Sequence, residues 1–206
     1  MLQMPCLGRR KKRTEIKELL LILALKKAGP IGRYRLKKIL DLSEYEGIVR
    51  LMLTDLERKR IISVSRKGCK LTRKGESLLA KSLGAYNIAK IKQVDLRSLG
   101  LDNSFCVHVR DHAEMIRPVA QYRDAAVRAG ALGAIILKYA DGILAVPNVY
   151  SDFSLEYPKL TAEILQGFDF LNGDVLILGF AGDEWKALEG ALAVAIEMAK
   201  DTKHDI

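Results

Sequence analysis

Residues 43–72 constrain the fold of this chain more than any other stretch, because they combine an amphipathic helix with a tight basic hairpin. Ser43 and Glu46 have the spacing of a capping box, which predicts a helix start there. The apolar residues on one arc of this helix are Tyr45, Ile48, Val49, Met52, Leu53 and Leu56. Strand patterns at residues 61–64 and 69–71, joined by a turn, predict the hairpin. One face of the helix is thus predicted to join a core, and the other is available for a partner.

Two helices are predicted before this stretch. Apolar spacing from residue 14 gives the first, which ends near Gly29 and Pro30. The second covers residues 33–41, with Tyr34, Leu36, Ile39 and Leu40 as its apolar set, and residues 30–32 leave room for a very short strand. Residues 1–13 end in Arg-Arg-Lys-Lys-Arg and are predicted to be a basic flexible arm, which either reaches a phosphate backbone or stays solvated.

The residues that follow the hairpin carry a recurrent pattern. They have the form Leu-Thr-x-x-Gly-x-x-Leu-Leu over residues 71–79, with Thr72 as the predicted N-cap of a fourth helix. In this position the pattern resembles winged-helix transcription regulators. The resemblance implies a winged-helix DNA-binding domain at residues 14–84. Its third helix would enter a major groove, and its hairpin, the wing, would lie over a neighbouring minor groove or the backbone.

The charge distribution agrees with a nucleic-acid partner for the first half. Residues 1–100 contain 25 Lys and Arg against 9 Asp and Glu, a net +16, whereas residues 101–206 contain 9 against 16, a net −7. A basic surface binds polyanions through counterion release. The two halves are therefore predicted to be modules with different partners.

Arg50 is the first candidate for base readout, because an Arg in the first half of a recognition helix can reach guanine O6 and N7. Gly47 and Thr54 lie on the same helix face, where the acidic Glu46 and the apolar Leu51 could weaken or redirect base contacts. The candidates for phosphate contacts, which position a protein without specifying sequence, are Arg33, Arg35, Lys37, Arg66 and Lys67. The alternative for each cation is an ordinary solvated side chain.

Residues 102–206 are predicted to form a C-terminal domain with the order β-α-β-β-α-β-α, after a linker or extra strand at residues 85–101. Asp141-Gly142 predicts a hairpin, Asn172-Gly173 a turn, and Asp183 the cap of the last helix. This order indicates a two-layer α+β domain, ferredoxin-like if the connections are standard. The fold class of the whole chain is therefore α+β.

A second resemblance rests on residues 121–134, with their Arg-Asp-Ala-Ala segment, and on the hairpin Gly-Ala-Ile-Ile-Leu-Lys-Tyr-Ala-Asp-Gly. Together with the winged-helix pattern, these residues look like an uncharacterised archaeal family that joins a winged helix to a C-terminal domain of unknown function. The resemblance suggests a C-terminal domain similar to the GAD domain of archaeal tRNA-dependent amidotransferases and bacterial aspartyl-tRNA synthetases. Residues 88–96 would then supply an additional strand.

Enzymatic and cofactor functions have little support in the sequence. It contains no Gly-x-Ser-x-Gly, no Gly-x-x-x-x-Gly-Lys, no Gly-x-Gly-x-x-Gly and no His-Glu-x-x-His. Cys106, His108 and His112 could ligate a metal, but they lack a Cys-x-x-Cys pair, and no metal or other cofactor is predicted. The candidates for an anionic effector are Arg117, Arg123 and Arg128, and the alternative is that Arg128 forms a surface pair with Asp124.

These observations predict a DNA-binding transcriptional regulator that is not an enzyme. The C-terminal domain is predicted to dimerise the protein, to sense a small anionic effector, or both. Three scattered cysteines and the lack of a long apolar run favour a cytoplasmic protein without a membrane partner. Two alternatives remain, which are a tRNA- or RNA-binding translation accessory protein and a winged-helix protein-interaction module.

Overall fold

The computed structural model describes residues 6–42, 45–116 and 119–201. The chain divides between Ser82 and Leu83 into two compact units, close to the predicted boundary at residue 84. We call them the N-terminal unit and the C-terminal unit. The predicted α+β class is confirmed, since helices accompany a two-stranded and a five-stranded antiparallel sheet.

The N-terminal unit has the predicted order of three helices, a hairpin and a fourth helix. Its elements are α1 (Cys6–Ala28), α2 (Arg33–Ile39), α3 (Glu46–Arg58), β1 (Ile62–Ser65), β2 (Gly68–Leu71) and α4 (Arg73–Ala85), which extends just past the division. Between α1 and α2, Ile31 forms an antiparallel bridge with Cys69. This bridge occupies the place of the predicted short strand.

Two helix starts differ from the prediction. Helix α1 begins at Cys6, so residues 6–13 are helical rather than part of a flexible arm, and residues 1–5 lie outside the described residues. Leu, Arg and Lys are strong helix formers, and repulsion between like charges costs only a few tenths of a kcal/mol per pair. Helix α3 begins at Glu46 after Tyr45, which has no side-chain cap, and Ser43 lies outside the described residues.

The buried stripe of α3 is narrower than the wheel predicts. Val49, Leu53 and Leu56 are buried, whereas Tyr45 and Ile48 are exposed, as is Tyr34 on α2. Helix α2 is only seven residues long and buries one side, through Leu36 and Ile39. The core of this unit is instead dominated by α1, whose Leu20, Leu21 and Leu25 are fully buried.

The C-terminal unit contains the predicted elements plus one strand at its start. They are β3 (Ile88–Gln93), β4 (Asn103–Val109), α5 (Val119–Arg128), β5 (Gly133–Ala140), β6 (Ile143–Ala145), α6 (Pro158–Gly167), β7 (Val175–Ala181) and α7 (Glu184–Asp201). The five strands form one antiparallel sheet in the order β3-β4-β7-β5-β6. The segment at residues 85–101 thus supplies an edge strand and a short 3-10 helix at Arg97–Leu99.

Helices cover both faces of this sheet, whereas a two-layer domain was predicted. Helices α5 and α7 pack against each other and on one face. On the other face, Leu160 and Ile164 of α6 join a buried cluster with Cys106, Leu176 and Leu178. Strand β7 is buried on both sides because its residues are apolar without alternation, which is typical of a strand in the middle layer. The unit therefore has three layers.

The turn and cap predictions of this unit are confirmed. Asp141 and Gly142 both have positive φ, as a tight hairpin requires. The Asp183 carboxylate accepts the backbone N–H groups of Trp185 and Lys186 at 2.9 and 3.2 Å and so caps α7. Within the described residues, no helix combines the length and apolar character needed to cross a membrane.

Candidate nucleic-acid interface

A groove in the N-terminal unit lies between α3 and the β1–β2 hairpin. Helix α3 lines it with Arg50, Leu53, Thr54 and Glu57, the hairpin lines it with residues 64–69, and Gly32 and Arg33 lie at the start of α2. Four of these lining residues are cationic and one is acidic; the cations are Arg33, Arg50, Arg66 and Lys67. The groove is therefore basic, and it combines a helix with a hairpin on one concave surface.

The hairpin is held in place by the segment between α1 and α2. Ile31 and Cys69 exchange two backbone hydrogen bonds, each of 2.9 Å. Gly68 has φ +117°, and a Cβ there would lie 2.6 Å from the carbonyl carbon of Ile31. This close approach explains why glycine stands at the hairpin turn, since any side chain would push the hairpin away from Ile31.

Local hydrogen bonds shape both ends of the hairpin. At the tip, the Ser65 hydroxyl donates to the Gly68 carbonyl at 3.1 Å and accepts the Lys67 N–H at 3.2 Å. At the base, the Thr72 hydroxyl lies 2.7 Å from the Arg60 carbonyl and accepts the Gly75 N–H at 3.1 Å. The predicted N-cap at Thr72 is thus confirmed, and it ties the hairpin to the start of α4.

Glu46 forms ion pairs with three cations beside α3. Its carboxylate lies 3.4 Å from Arg33, 3.7 Å from Arg50 and 3.9 Å from Lys37. These groups are partly exposed, and exposed ion pairs add little stability. One carboxylate among three cations leaves the local charge positive, so Glu46 positions the cations without neutralising the surface.

The structure brings together five of the eight predicted nucleic-acid contacts. Arg33, Arg50, Thr54, Arg66 and Lys67 line the groove. Gly47 is exposed on α3, and Arg35 is exposed on α2. Lys37 is half-buried beside Glu46 and over the Tyr34 ring, so its ammonium is already engaged. Ser65 and Glu57 also line the groove and are not among the predicted contacts, although their positions in the predicted turn and helix could have suggested it.

The candidate effector residues lie in the C-terminal unit. Arg123 and Arg128 are exposed on α5. They are five residues apart, so a helix directs them to different sides. Arg117 lies outside the described residues. The structure thus does not bring Arg123 and Arg128 together.

Asp174 is the centre of a buried polar cluster in the C-terminal unit that the sequence pattern does not indicate. Asp174, only 2% exposed in its side chain, lies 2.8 Å from His108 Nε2 and 2.6 Å from Arg110 Nη1. Its carboxylate also accepts the backbone N–H groups of Leu171 and Asp111 at 2.8 and 3.2 Å. Because a carboxylate only accepts, His108 donates from Nε2. The cluster joins the end of β4 to the turn before β7.

The same cluster includes one of the three residues that were considered as metal ligands, Cys106, His108 and His112. Cys106 and His108 share one face of β4, but His108 is engaged with Asp174, and burial raises the pKa of the Cys106 thiol. His112 donates from Nδ1 to the Arg110 carbonyl at 2.6 Å. The described residues contain no group of three or more ligands arranged to hold a metal.

The protonation states of the cluster follow from its burial. Burial lowers the pKa of His108, and its hydrogen bond with Asp174 opposes this only in part. Burial alone would raise the pKa of Asp174, but hydrogen bonds from Leu171, His108, Asp111 and Arg110 hold it below its ordinary value. Neutral His108 therefore faces an ionised Asp174 at neutral pH.

The C-terminal unit is expected to lose stability as the pH falls below about 6.5. The unfolded chain protonates His108 near its ordinary pKa of 6.5, whereas the folded unit keeps it neutral to lower pH. The Asp174 contribution is present above its ordinary pKa of 3.8 and is lost only as the pH falls through the lowered value. Urea unfolding at several pH values checks this, with His108→Gln as the variant that cannot titrate. If the free energy of unfolding depended on pH in the same way for the wild type and for His108→Gln, His108 would not be the group responsible.

Comparisons with known proteins cover both units. Residues 101–198 match the model of a family described as a domain of unknown function, DUF4443. The hypothetical protein PH0730 from Pyrococcus horikoshii OT3 has a similar solved structure, with a TM-score of 0.68 and 27% identity over 89% of this chain and 92% of that chain. This chain resembles an uncharacterised archaeal protein along most of its length. No curated protein matches it.

Proposed function

We propose that this protein is a DNA-binding transcriptional regulator whose N-terminal unit is a winged helix. The observation that carries the proposal is the basic groove between α3 and the hairpin, which Arg50 of α3 lines together with Arg33, Arg66 and Lys67. Phosphate contacts from such cations supply sequence-independent affinity, and a helix at the centre can reach base edges in the major groove. The net +16 of residues 1–100 supports the same partner.

The C-terminal unit is proposed to dimerise the protein, to sense an effector, or both. Large apolar side chains on its surface support a role in association, and the four most exposed are Leu132, Val149, Leu155 and Leu171. A two-fold dimer would double the phosphate contacts and match a palindromic site. Sedimentation of the full chain tests this part, and a monomer at all concentrations would contradict dimerisation.

Substitutions at Arg50 and Lys67 are expected to have different effects on DNA binding. Arg50 lies on α3 and its side chain is 64% exposed, so Arg50→Ala should reduce the preference for a selected site over random DNA by roughly 1–3 kcal/mol. Lys67 lies at the hairpin tip, so Lys67→Ala should weaken all duplexes alike and lower the salt slope by about one. Fluorescence anisotropy over a range of salt concentrations measures both quantities.

The control for these variants is Lys159→Ala, which removes an exposed cation from α6, outside the groove. It should leave both the preference and the salt slope unchanged. Equal loss on every duplex for Arg50→Ala would exclude its role in base readout. Competition with tRNA tests the partner itself, since preferential binding of tRNA would replace the proposal with an RNA-binding function.

A further inference from the structure

Leu51 occupies the centre of the outward face of α3. At 3.6 residues per turn it lies almost opposite the buried Val49, Leu53 and Leu56. Its side chain is 72% exposed, although burial of a leucine is favourable by about 1.5–3 kcal/mol. Packing within the described residues of the N-terminal unit therefore does not account for an apolar residue at this position.

Gly47 lies one helical turn before Leu51 and is equally unexplained by the fold. A glycine costs about 1 kcal/mol relative to alanine in a helix interior and less in the first turn, where Gly47 lies. A Cβ at residue 47 would have no described atom within 4 Å, so glycine is not needed for packing within the described structure. A glycine on an exposed helix face instead allows another surface to approach the backbone closely. Gly47 and Leu51 thus form a strip on the exposed face of α3. A partner could approach the helix backbone closely at Gly47 and make an apolar contact with Leu51.

The charges around the strip indicate what covers it. Glu46, beside Gly47, pairs with Arg33, Lys37 and Arg50. Asp55, one helical turn after Leu51, lies 2.8 Å from Arg58 and also pairs with Lys59. Five cations and two carboxylates therefore border the strip, and the net charge of this border is positive. An uncharged strip with a net positive border matches a major groove, whose floor of base edges runs between two rows of phosphates. Among the base edges there, the thymine C5-methyl is the apolar group. A second copy of this face is a poorer partner than DNA, because a two-fold contact would bring two surfaces of net positive charge together.

We propose that Leu51 is a specificity-determining residue that contacts thymine C5-methyl groups in the major groove, with Gly47 allowing the helix to approach. This inference rests on the proposed function and deepens it, because it assigns part of the sequence preference to an apolar contact. Arg50 and Leu51 would then read neighbouring positions, one through hydrogen bonds to guanine and the other through methyl contact.

The test compares thymine with uracil, which differ only by this methyl group. Preferred duplexes are first selected from a random library with the full chain, and each thymine is then replaced by uracil in turn. At one or two positions, uracil is expected to weaken binding about fourfold, which corresponds to about 0.8 kcal/mol for one buried carbon. Leu51→Ala should bind both versions equally. Gly47→Leu should lose affinity for the selected site while its circular dichroism remains that of the wild type.

The matched control is Val127→Ala, because Val127 is an apolar residue that is 49% exposed but lies on α5 of the C-terminal unit. It should keep the discrimination between thymine and uracil. Wild-type protein that binds the two versions equally at every position would overturn the inference and leave salt-dependent DNA binding intact. An absence of any salt-dependent binding to duplex DNA would overturn the proposed function as well. A change in oligomeric state for Leu51→Ala, with methyl discrimination retained, would instead identify the strip as a contact between copies.

Discussion

Replacing Asp174 with alanine is expected to lower the free energy of unfolding of the C-terminal unit by roughly 3–5 kcal/mol. The substitution removes the acceptor of the buried His108 donor and of Arg110, and it also deprives the Leu171 and Asp111 N–H groups of their partner. Buried donors without acceptors retain their full desolvation cost. The connection between the end of β4 and the turn before β7 should loosen as a result.

Trp185 provides a specific measurement of this loss. It is the single tryptophan of the chain and lies on α7, so its fluorescence follows unfolding of the C-terminal unit in urea. Asp169→Ala is the matched control, because Asp169 is exposed and Arg110 contacts only its backbone carbonyl, which the variant retains. A loss below about 1 kcal/mol for Asp174→Ala would show that the cluster is not a structural anchor.

Substitution of Gly68 by alanine is expected to destabilise the N-terminal unit by about 2–5 kcal/mol. The new Cβ would lie 2.6 Å from the Ile31 carbonyl carbon and 2.7 Å from its oxygen, and the φ of +117° is strained for any other residue. Backbone atoms cannot yield as a flexible side chain can. The hairpin should therefore separate from Ile31 and break the two hydrogen bonds between Ile31 and Cys69.

Hydrogen exchange locates this effect, since protection should be lost at Cys69 and Ile31 before it is lost in α1. Circular dichroism in urea gives the change in stability. Gly47→Ala is the control, because a Cβ there meets no described atom, and alanine in the first turn of a helix should not destabilise the unit. Equal stability of the Gly68→Ala and wild-type proteins would mean that the hairpin adapts without cost. If the proposed function holds, displaced Arg66 and Lys67 should also weaken DNA binding.

Most elements of the fold were predictable because their signals are local. Thr72, Asp183 and the Asp141-Gly142 turn act within a few residues of chain, so caps and turns marked the ends of helices and strands without knowledge of the tertiary structure. The order of elements in both units followed from these boundaries and from apolar spacing. The nucleic-acid candidates were also identified from local pattern, and five of them line one groove.

The tertiary structure decided the features that depend on distant residues. Asp174 meets His108 and Arg110 across more than sixty positions of sequence, and no spacing rule relates them. Helix α7 covers one face of β7, and the other face, with Leu176 and Leu178, is apolar as well. The placement of α6 depends on this second face, which local sequence patterns do not identify.

Within α3, the sequence by itself determined an amphipathic helix beside a basic hairpin. Only the tertiary structure showed that Tyr45 and Ile48 stay exposed and that Glu46 forms ion pairs with three cations. It also showed that Gly68 allows the hairpin to pack closely against Ile31. The physical reason is that helical periodicity specifies which residues share a face, whereas burial and ion pairing depend on what packs against that face.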